Sequence, residues 1–465
     1  MLRCRCCLCC APIRRQISDE NGSEGATNQS IGEPTDGTEE IEENAVYAAY
    51  THCNTHSSPK YGAVVQLTTH LRSLPISQIL LVCYGLFFLG YFFVPKSFES
   101  DHYKLYYIII TIITIPLIPQ AFRLVNRDNL FFLCLFYISY MLASVTWSDA
   151  FFEEPTPWRG VYDHLKHGAQ LLIFILGTRV LMQTRPRQYE QMRHILFFAA
   201  GLAGMLTMLY WYSAHSFPDT RVVGFSLTEN PNDLAFVYGA VCTWGFAFFI
   251  SKQGLVSRLP YLVVLTALVL LLFLTQSRGA LVAITCATGV FGLRRQGIKG
   301  ILLVVAMLGS VMVTVVLIEP RIADEMIARG DSTRIALWSD IIKETLHRPL
   351  MGSGYLSNAV IEIGTHRLNA HSAYFATFRD GGLVGLTLLI GMLTLACKRA
   401  YGIGNQTGDY TWLAALVFAM VFLITAGDRL IDRPKEVWFA FWLPIAMIIA
   451  LSSGPSPATQ RENVA

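Results

Sequence analysis

From residue 75 to residue 452 the chain alternates long apolar runs with short polar turns. A helix needs about 20 apolar residues to cross a hydrocarbon core of roughly 30 Å. On that scale the candidate spans are 75–94, 104–120, 130–147, 165–183, 195–213, 232–251, 259–275, 279–293, 300–318, 378–397, 409–427 and 436–452. Lone strands leave backbone groups unpaired in lipid, so the runs read as helices. The pattern predicts an all-α polytopic integral membrane protein with about 12 transmembrane helices. The run 279–293 is short enough to tilt or to re-enter. One polar interval breaks the rhythm, between the ninth and tenth runs.

The organisation follows. Residues 1–70 are polar, acidic in the middle and poor in aromatics, which predicts a disordered tail. Residues 71–318 hold spans 1–9, residues 319–377 the large loop, residues 378–452 spans 10–12 and residues 453–465 a short tail. No apolar stretch follows the early arginines, so the N-terminus does not read as a signal peptide.

Composition strengthens the membrane reading. Charged residues make up 15% of the chain and apolar ones 53%, with a mean hydropathy of +0.43. Soluble chains carry roughly 25% charged residues. The net charge of +3 gives no reason to expect a nucleic-acid partner. Five of the eleven cysteines crowd the first ten residues (Cys4, Cys6, Cys7, Cys9 and Cys10), without histidine or a second cysteine pair at zinc spacing. The others sit singly in apolar runs, as small packing residues do.

Lysine and arginine counts orient the spans. With the N-terminus inside, the inner loops hold Arg123, Arg127, Arg185, Arg187, Arg193, Lys252, Arg258, Arg294, Arg295, Lys299, Lys398 and Arg399. The outer loops mix Lys96, Arg159, Arg221, Arg278, Arg429, Arg433 and Lys435 with many carboxylates. The bias places both termini in the cytoplasm and the large loop on the outer face.

The loop gathers the chemistry. Two short helices are expected, one over about 321–329 and one from a cap at Asp331 or Ser332 to the residue before Pro349. On the second, Ile335, Trp338, Ile342 and Leu346 form an apolar stripe, suited to a membrane surface or to other helices. Arg334 stands one turn before Trp338 and on its side. Arg348 follows that helix. His371 lies where the chain re-enters the membrane, with Tyr374 one turn on. Imidazole accepts a hydroxyl proton near neutral pH, though a lone interfacial histidine also serves structural ends. Arg278, in LTQSRGAL, either snorkels to the headgroups or binds phosphate through its planar donor fork. RVVGFSLTENPNDLAF supplies Arg221 and Asn232 beside a turn and a helix cap. Asp380 is expected to neutralise Arg379 at a helix start. Asp428, Arg429, Asp432 and Arg433 are expected to form a solvated, balanced set.

No P-loop, dinucleotide fingerprint, HExxH motif or paired-cysteine metal site occurs, and the outer loop has no DxD-like acidic motif. No cofactor and no metal is expected. The spans hold few ionisable groups, which favours an interfacial site over a midplane transport path; a lipid-linked oligosaccharide transporter or flippase is the competing class.

Taken in order, LTENPNDLAF, TQSRGAL, STRIALW, HRPLMGSGY, AHSAYF and GGLVGL resemble the O-antigen ligase and Wzy-type polymerase superfamily, most closely the ligases. The resemblance covers roughly residues 75–450 and is densest over 224–385. It implies a GT-C-like glycosyltransferase of the bacterial inner membrane with a periplasmic active site. The donor would be a glycan on undecaprenyl diphosphate and the acceptor a lipid A-core hydroxyl, with inversion and without a metal. By resemblance Arg278 and Arg334 bind the diphosphate and His371 activates the acceptor. Arg221, Asn232, Trp338, Tyr374 and Arg348 would line the substrates. The residue after the histidine is usually asparagine and is Ser372 here; the acidic residue before GGLVG is Asp380 instead of glutamate. A polysaccharide polymerase or a protein O-oligosaccharyltransferase would use the same donor.

Overall fold

The architecture comes from a computed structural model. The structure describes residues 75–148, 151, 157–216, 220–295, 309, 334–356, 361–363 and 366–452. The chain divides after Val65, and every described residue lies in the second unit. The expected tail at 1–70, the expected span at 300–318 and the expected helix at 321–329 lie outside the described residues.

The helices are α1 (Pro75–Phe93), α2 (Lys96–Val125), α3 (Asn129–Ala143), α4 (Pro157–Thr184), α5 (Pro186–Ala214), α6 (Pro231–Ser251), α7 (Leu255–Leu274), α8 (Arg278–Arg295), α9 (Arg334–Thr345), α10 (Ala373–Thr407), α11 (Thr411–Phe422) and α12 (Trp438–Ser452). Between α9 and α10 stands a two-stranded antiparallel hairpin, β1 (Ile361–Ile363) with β2 (His366–Leu368), pairing Glu362 with Arg367. Among the described residues the hairpin is the one departure from helix, and it lies in the loop. Eight of the helices are long and apolar enough to cross a membrane: α1 to α7 and α10. The apolar stretches of α8, α11 and α12 are shorter. The protein is a multi-pass helical membrane protein.

Burial sorts the helices. α6 is buried on nearly every face from Leu234 to Gly245, and α12 from Trp438 to Ala450. Such all-round apolarity belongs to helices inside a bundle. α5 instead leaves Ile195, Phe198, Leu202, Leu206 and Leu209 exposed at helical spacing, a face for lipid tails. Proline sits inside α7 (Pro260) and twice within α2, where Leu105–Ile110 is π-helical and Ile115–Leu117 is 3-10. Lost backbone bonds are tolerated there because neighbouring groups re-satisfy them. At the end of the bundle opposite the loops, Asp128 caps α3 through Phe131 N at 2.9 Å and pairs with Arg399 at 2.6 Å. The buried Arg179 donates from Nη1 to the Ala450 carbonyl and, at 3.4 Å, to that of Ile449. That places a cation on the C-terminal end of α12, where the helix dipole favours it.

Two departures shape the site. α11 has 12 residues, about 18 Å of helix. Much of the connection 423–437 is therefore packed against the protein, with Leu430, Ile431, Pro434 and Val437 buried while Ile424, Gly427 and Arg433 stay exposed. Its backbone is satisfied by side chains: Trp442 Nε1 donates to Leu430 O at 2.8 Å, Trp438 Nε1 to Asp432 O at 3.0 Å and the Tyr91 hydroxyl to Lys435 O at 2.8 Å. α10, in turn, starts at Ala373, earlier than the expected boundary at 378, because Ser372 caps it. It is broken at Gly382, whose φ of 60° and ψ of −159° leave the helical region.

Candidate functional site

The loop after α9 is sewn into the break in α10. Leu383 N donates to Pro349 O at 2.8 Å and Val384 N to Leu350 O at 3.2 Å. Ser353 N and Gly354 N donate to the carbonyls of Arg379 and Asp380 at 2.8 and 2.9 Å. Gly352 has φ 68°, and a Cβ there would stand 2.5 Å from Arg379 O and Gly382 N. Two glycines meeting backbone to backbone let the HRPLMGSGY segment lie this close.

Beneath it sits a charged cluster: the expected pair Arg379 and Asp380, joined by Asp428 and Arg429 from the expected solvated set. Arg379 and Asp380 have 1% of their side chains exposed. Asp380 Oδ1 accepts from Arg379 Nε at 2.7 Å, and Oδ2 from Arg429 Nε at 3.0 Å. Arg379 Nη2 also approaches Asp428 at 3.6 Å. Arg429 lies over the Tyr355 ring at 4.8 Å, and the Tyr355 hydroxyl donates to Ile431 O while accepting from Ile431 N. The expected solvated set is thus corrected for Asp428 and Arg429: with α11 so short, they are drawn into the wall. Arg433 does remain exposed. Burial raises the Asp428 carboxyl; Arg379 and Arg429 pull it back and Asp380 pushes it up.

α9 packs on α10 through Leu337 and Ile341, which meet Ala370 and Ala376. Of the expected stripe, Ile335, Ile342 and Leu346 face outward, at 58%, 39% and 62% exposure, and not onto other helices. Leu337, Ile341 and Thr345 repeat every four residues as well, and this second stripe is the buried one. Trp338 is the exception, stacked on Phe375 at 4.9 Å and donating from Nε1 to Ala370 O at 3.0 Å. It thereby holds α9 beside His371. The Tyr374 hydroxyl donates to Met420 O at 3.0 Å, toward α11 and not toward the imidazole.

Arg278, at the first turn of α8, is exposed. It is close enough to Arg334 that its charge, added to burial, lowers the Arg334 pKa. Arg334 in turn acts on His371: burial first, then this guanidinium, lowers the imidazole pKa, while Asp428 raises it. The structure thus joins Arg278, Arg334, His371 and Asp428 in one field. Arg221 and Asn232 brace it from behind. Arg221 donates from Nε to Thr275 O at 2.8 Å and from Nη2 to Asn232 Oδ1 at 3.2 Å, and Ser277 Oγ donates to the same oxygen at 3.2 Å. Gly279 lets α8 approach Thr425, whose Oγ1 would stand 2.5 Å from a Cβ. Arg348 is exposed just after α9, at the start of the sewn loop, whose Gly352 N donates to its carbonyl at 2.8 Å.

Two residues other than glycine adopt positive φ among the described residues: Gln276 at 51° and His371 at 48°. Such conformations cost of order 1–3 kcal/mol each and gather at functional sites. Here one sits two residues before Arg278 and the other is the histidine itself.

Sequence reasoning named Asp428, Arg429 and the Arg379–Asp380 pair but missed Tyr355 and the joining of all of these into one cluster. One signal was present: 409–427 and 436–452 are apolar runs whose connecting segment is half charged, too many charges for a turn that simply crosses headgroups.

The arrangement is that of a polytopic membrane protein with an arginine–histidine site where loops converge at one end of the bundle. Known proteins of that kind are similar to it. Residues 262–390 match the Wzy_C family, described as O-antigen ligase, and that stretch encloses Arg278, Arg334 and His371. The chain is also 27% identical over 386 residues to an O-antigen ligase of Pseudomonas aeruginosa, across 81% of this chain and 90% of that protein. Over residues 262–390, and more weakly over most of its length, the chain is similar to O-antigen ligases.

Proposed function

We propose that the chain is a glycosyltransferase that moves an O-antigen-type glycan from undecaprenyl diphosphate to a hydroxyl of the lipid A-core oligosaccharide. The reaction takes place at the periplasmic face of the inner membrane, with both termini in the cytoplasm. The observation that carries this reading is the shared field of Arg278, Arg334 and His371, inside the stretch that matches the ligase family.

The acceptor oxygen attacks the anomeric carbon, its proton passes to His371, and the bond to the diphosphate oxygen breaks with its electrons on the diphosphate. Attack from the face opposite the leaving group inverts the centre. Charge grows on the diphosphate as that bond stretches, so guanidiniums there favour the transition state over the bound substrate. Arg278 and Arg334 repel one another in the empty site, and a dianionic group between them relieves that repulsion. Their shared charge makes a divalent cation unnecessary. His371 is held neutral, which suits a base.

The test uses purified protein in liposomes with undecaprenyl-diphosphate-linked glycan, lipid A-core and EDTA. Glycosylated lipid A-core from the wild type, absent with His371→Ala, supports the reading. Longer lipid-linked chains in place of that product identify a polymerase, and glycosylated protein an O-oligosaccharyltransferase. Absence of chemistry with every acceptor would restore the transporter class.

A further inference from the structure

Two grooves adjoin the sewn loop. The first, about 510 Å³, runs between the C-terminal end of α3 and the first turns of α4, walled by Leu142, Val145, Phe151, Trp158, Val161 and Leu165. Its floor is where the helices close up: a Cβ on Gly168 would stand 2.5 Å from Leu142 Cδ1 and 3.3 Å from Ile138 Cγ2. From there α3 and α4 diverge toward the loops. The second, about 570 Å³, shares Thr146 with the first and is walled by Trp147, Arg348, Pro349, Leu350, Met351 and Gly352. The composite is a hydrocarbon-lined slot that ends at a guanidinium.

Position tells which substrate fits. α10 packs on α3 and on α11, and α11 carries α8. Arg278 and the slot therefore reach the start of α10 from different neighbours. Gly352, in the second groove, abuts Arg379, six residues or about 9 Å of helix beyond Ala373, and His371 lies two residues before that helix starts. A donor's diphosphate is bonded to the reacting carbon, so it cannot rest that far from the base. An acceptor is built the other way: its reacting hydroxyl is separated from the lipid phosphates by several sugars, a length that fills such a gap.

We propose, on the ligase reading above, that this slot seats the acceptor lipid. One acyl chain lies between α3 and α4, and a phosphate of the glycolipid meets Arg348. Arginine suits that partner because its planar fork pairs two phosphate oxygens and stays charged beside lipid. Hydrocarbon in the groove replaces bilayer hydrocarbon at little gain, so selectivity resides in the charge at its mouth and the fit of the chain below.

The experiment compares full lipid A-core with its deacylated core oligosaccharide, using wild type, Val161→Trp, Leu142→Trp and Arg348→Ala in liposomes. An indole that blocks the groove, or loss of a charge-assisted contact, translates to about tenfold or more in acceptor KM. The expected result is that rise with full lipid A-core, with donor KM held within about twofold and the deacylated acceptor used as by wild type. A rise in donor KM instead assigns the slot to the polyprenyl chain and overturns the proposal, as do unchanged constants for both. A second measurement needs no turnover: Leu165→p-benzoylphenylalanine, irradiated in liposomes containing phosphatidylglycerol with or without lipid A-core. An adduct with lipid A-core, suppressed by Arg348→Ala, supports the site even if no transfer is found. Capture of phosphatidylglycerol alone, undiminished by added lipid A-core, overturns it.

Discussion

Asp380 and Arg429 stand 49 residues apart in the chain and meet at 3.0 Å, carboxylate Oδ2 to guanidinium Nε. The contact locks the start of α10 to the connection between α11 and α12. The other oxygen of Asp380 is taken by Arg379, so one buried carboxylate bonds two guanidiniums. Removing it takes the nearest carboxylate from both. Breaking a buried pair from one side costs about 3–5 kcal/mol. Asp380→Ala is expected to lower the thermal midpoint in detergent sharply, and Asp380→Glu to keep more of it than Asp380→Asn. A midpoint unchanged in Asp380→Ala would show that the cluster is wet.

Gly382→Ala tests the sewn loop. The positive φ disfavours any side chain, and a Cβ would stand 2.4 Å from the Leu350 carbonyl and 2.6 Å from Gly352 N. Those contacts are backbone, which cannot swing aside, so the cost exceeds the 1–3 kcal/mol of an isolated strained residue. Protease cleavage within 348–354 is expected to quicken while the spans remain protected. Equal protection in the variant would mean that the loop is held by other contacts.

The span pattern was legible because lipid forces long apolar runs, and runs are local. The loop arginines and His371 were singled out through motif order, and the structure brings Arg334 near both Arg278 and His371. The Asp380–Arg429 contact was not, because nothing in either neighbourhood encodes a partner 49 residues away. Nor was the buried face of α9: Ile335–Trp338–Ile342 and Leu337–Ile341–Thr345 are both four-spaced apolar stripes, and only the packing on Ala370 and Ala376 chooses between them. The hairpin escaped because its six paired residues are too few to show an alternation.

Trp338 links that packing to the chemistry. Its ring stacks on Phe375 and its N–H satisfies Ala370 O, one residue before His371. Aromatic pairs add about 0.5–1.5 kcal/mol beyond burial, and a buried carbonyl left unpaired costs about 1–3 kcal/mol. Trp338→Phe keeps the stack and loses the hydrogen bond; Trp338→Ala loses both. Transfer activity is expected to fall in the order wild type, Phe, Ala, with thermal midpoints that move far less, because α9 swings Arg334 away without unfolding the bundle. Equal activity in all three would detach α9 from the reaction.

The pH dependence of transfer probes the field at His371 from two sides. Burial and Arg334 set its pKa below the usual 6.5, and Asp428 works against them. A base acts in its neutral form, so kcat/KM is expected to rise as pH climbs through that lowered pKa and to be level above 6.5. Asp428→Asn removes the negative charge that raises the pKa, so the acid limb moves to lower pH. Arg334→Gln removes the positive charge that lowers it, so the limb moves up, together with a loss of rate from the missing phosphate contact. Each shift of one pH unit corresponds to about 1.4 kcal/mol of interaction. The opposite signs are the point: a structural lesion at either residue would lower the plateau without moving the limb. His371→Ala is expected to cost about 10²–10⁴ in rate, the usual worth of a general base, and to abolish the limb altogether. Limbs that move the same way in Asp428→Asn and Arg334→Gln would place the titrating group somewhere other than His371.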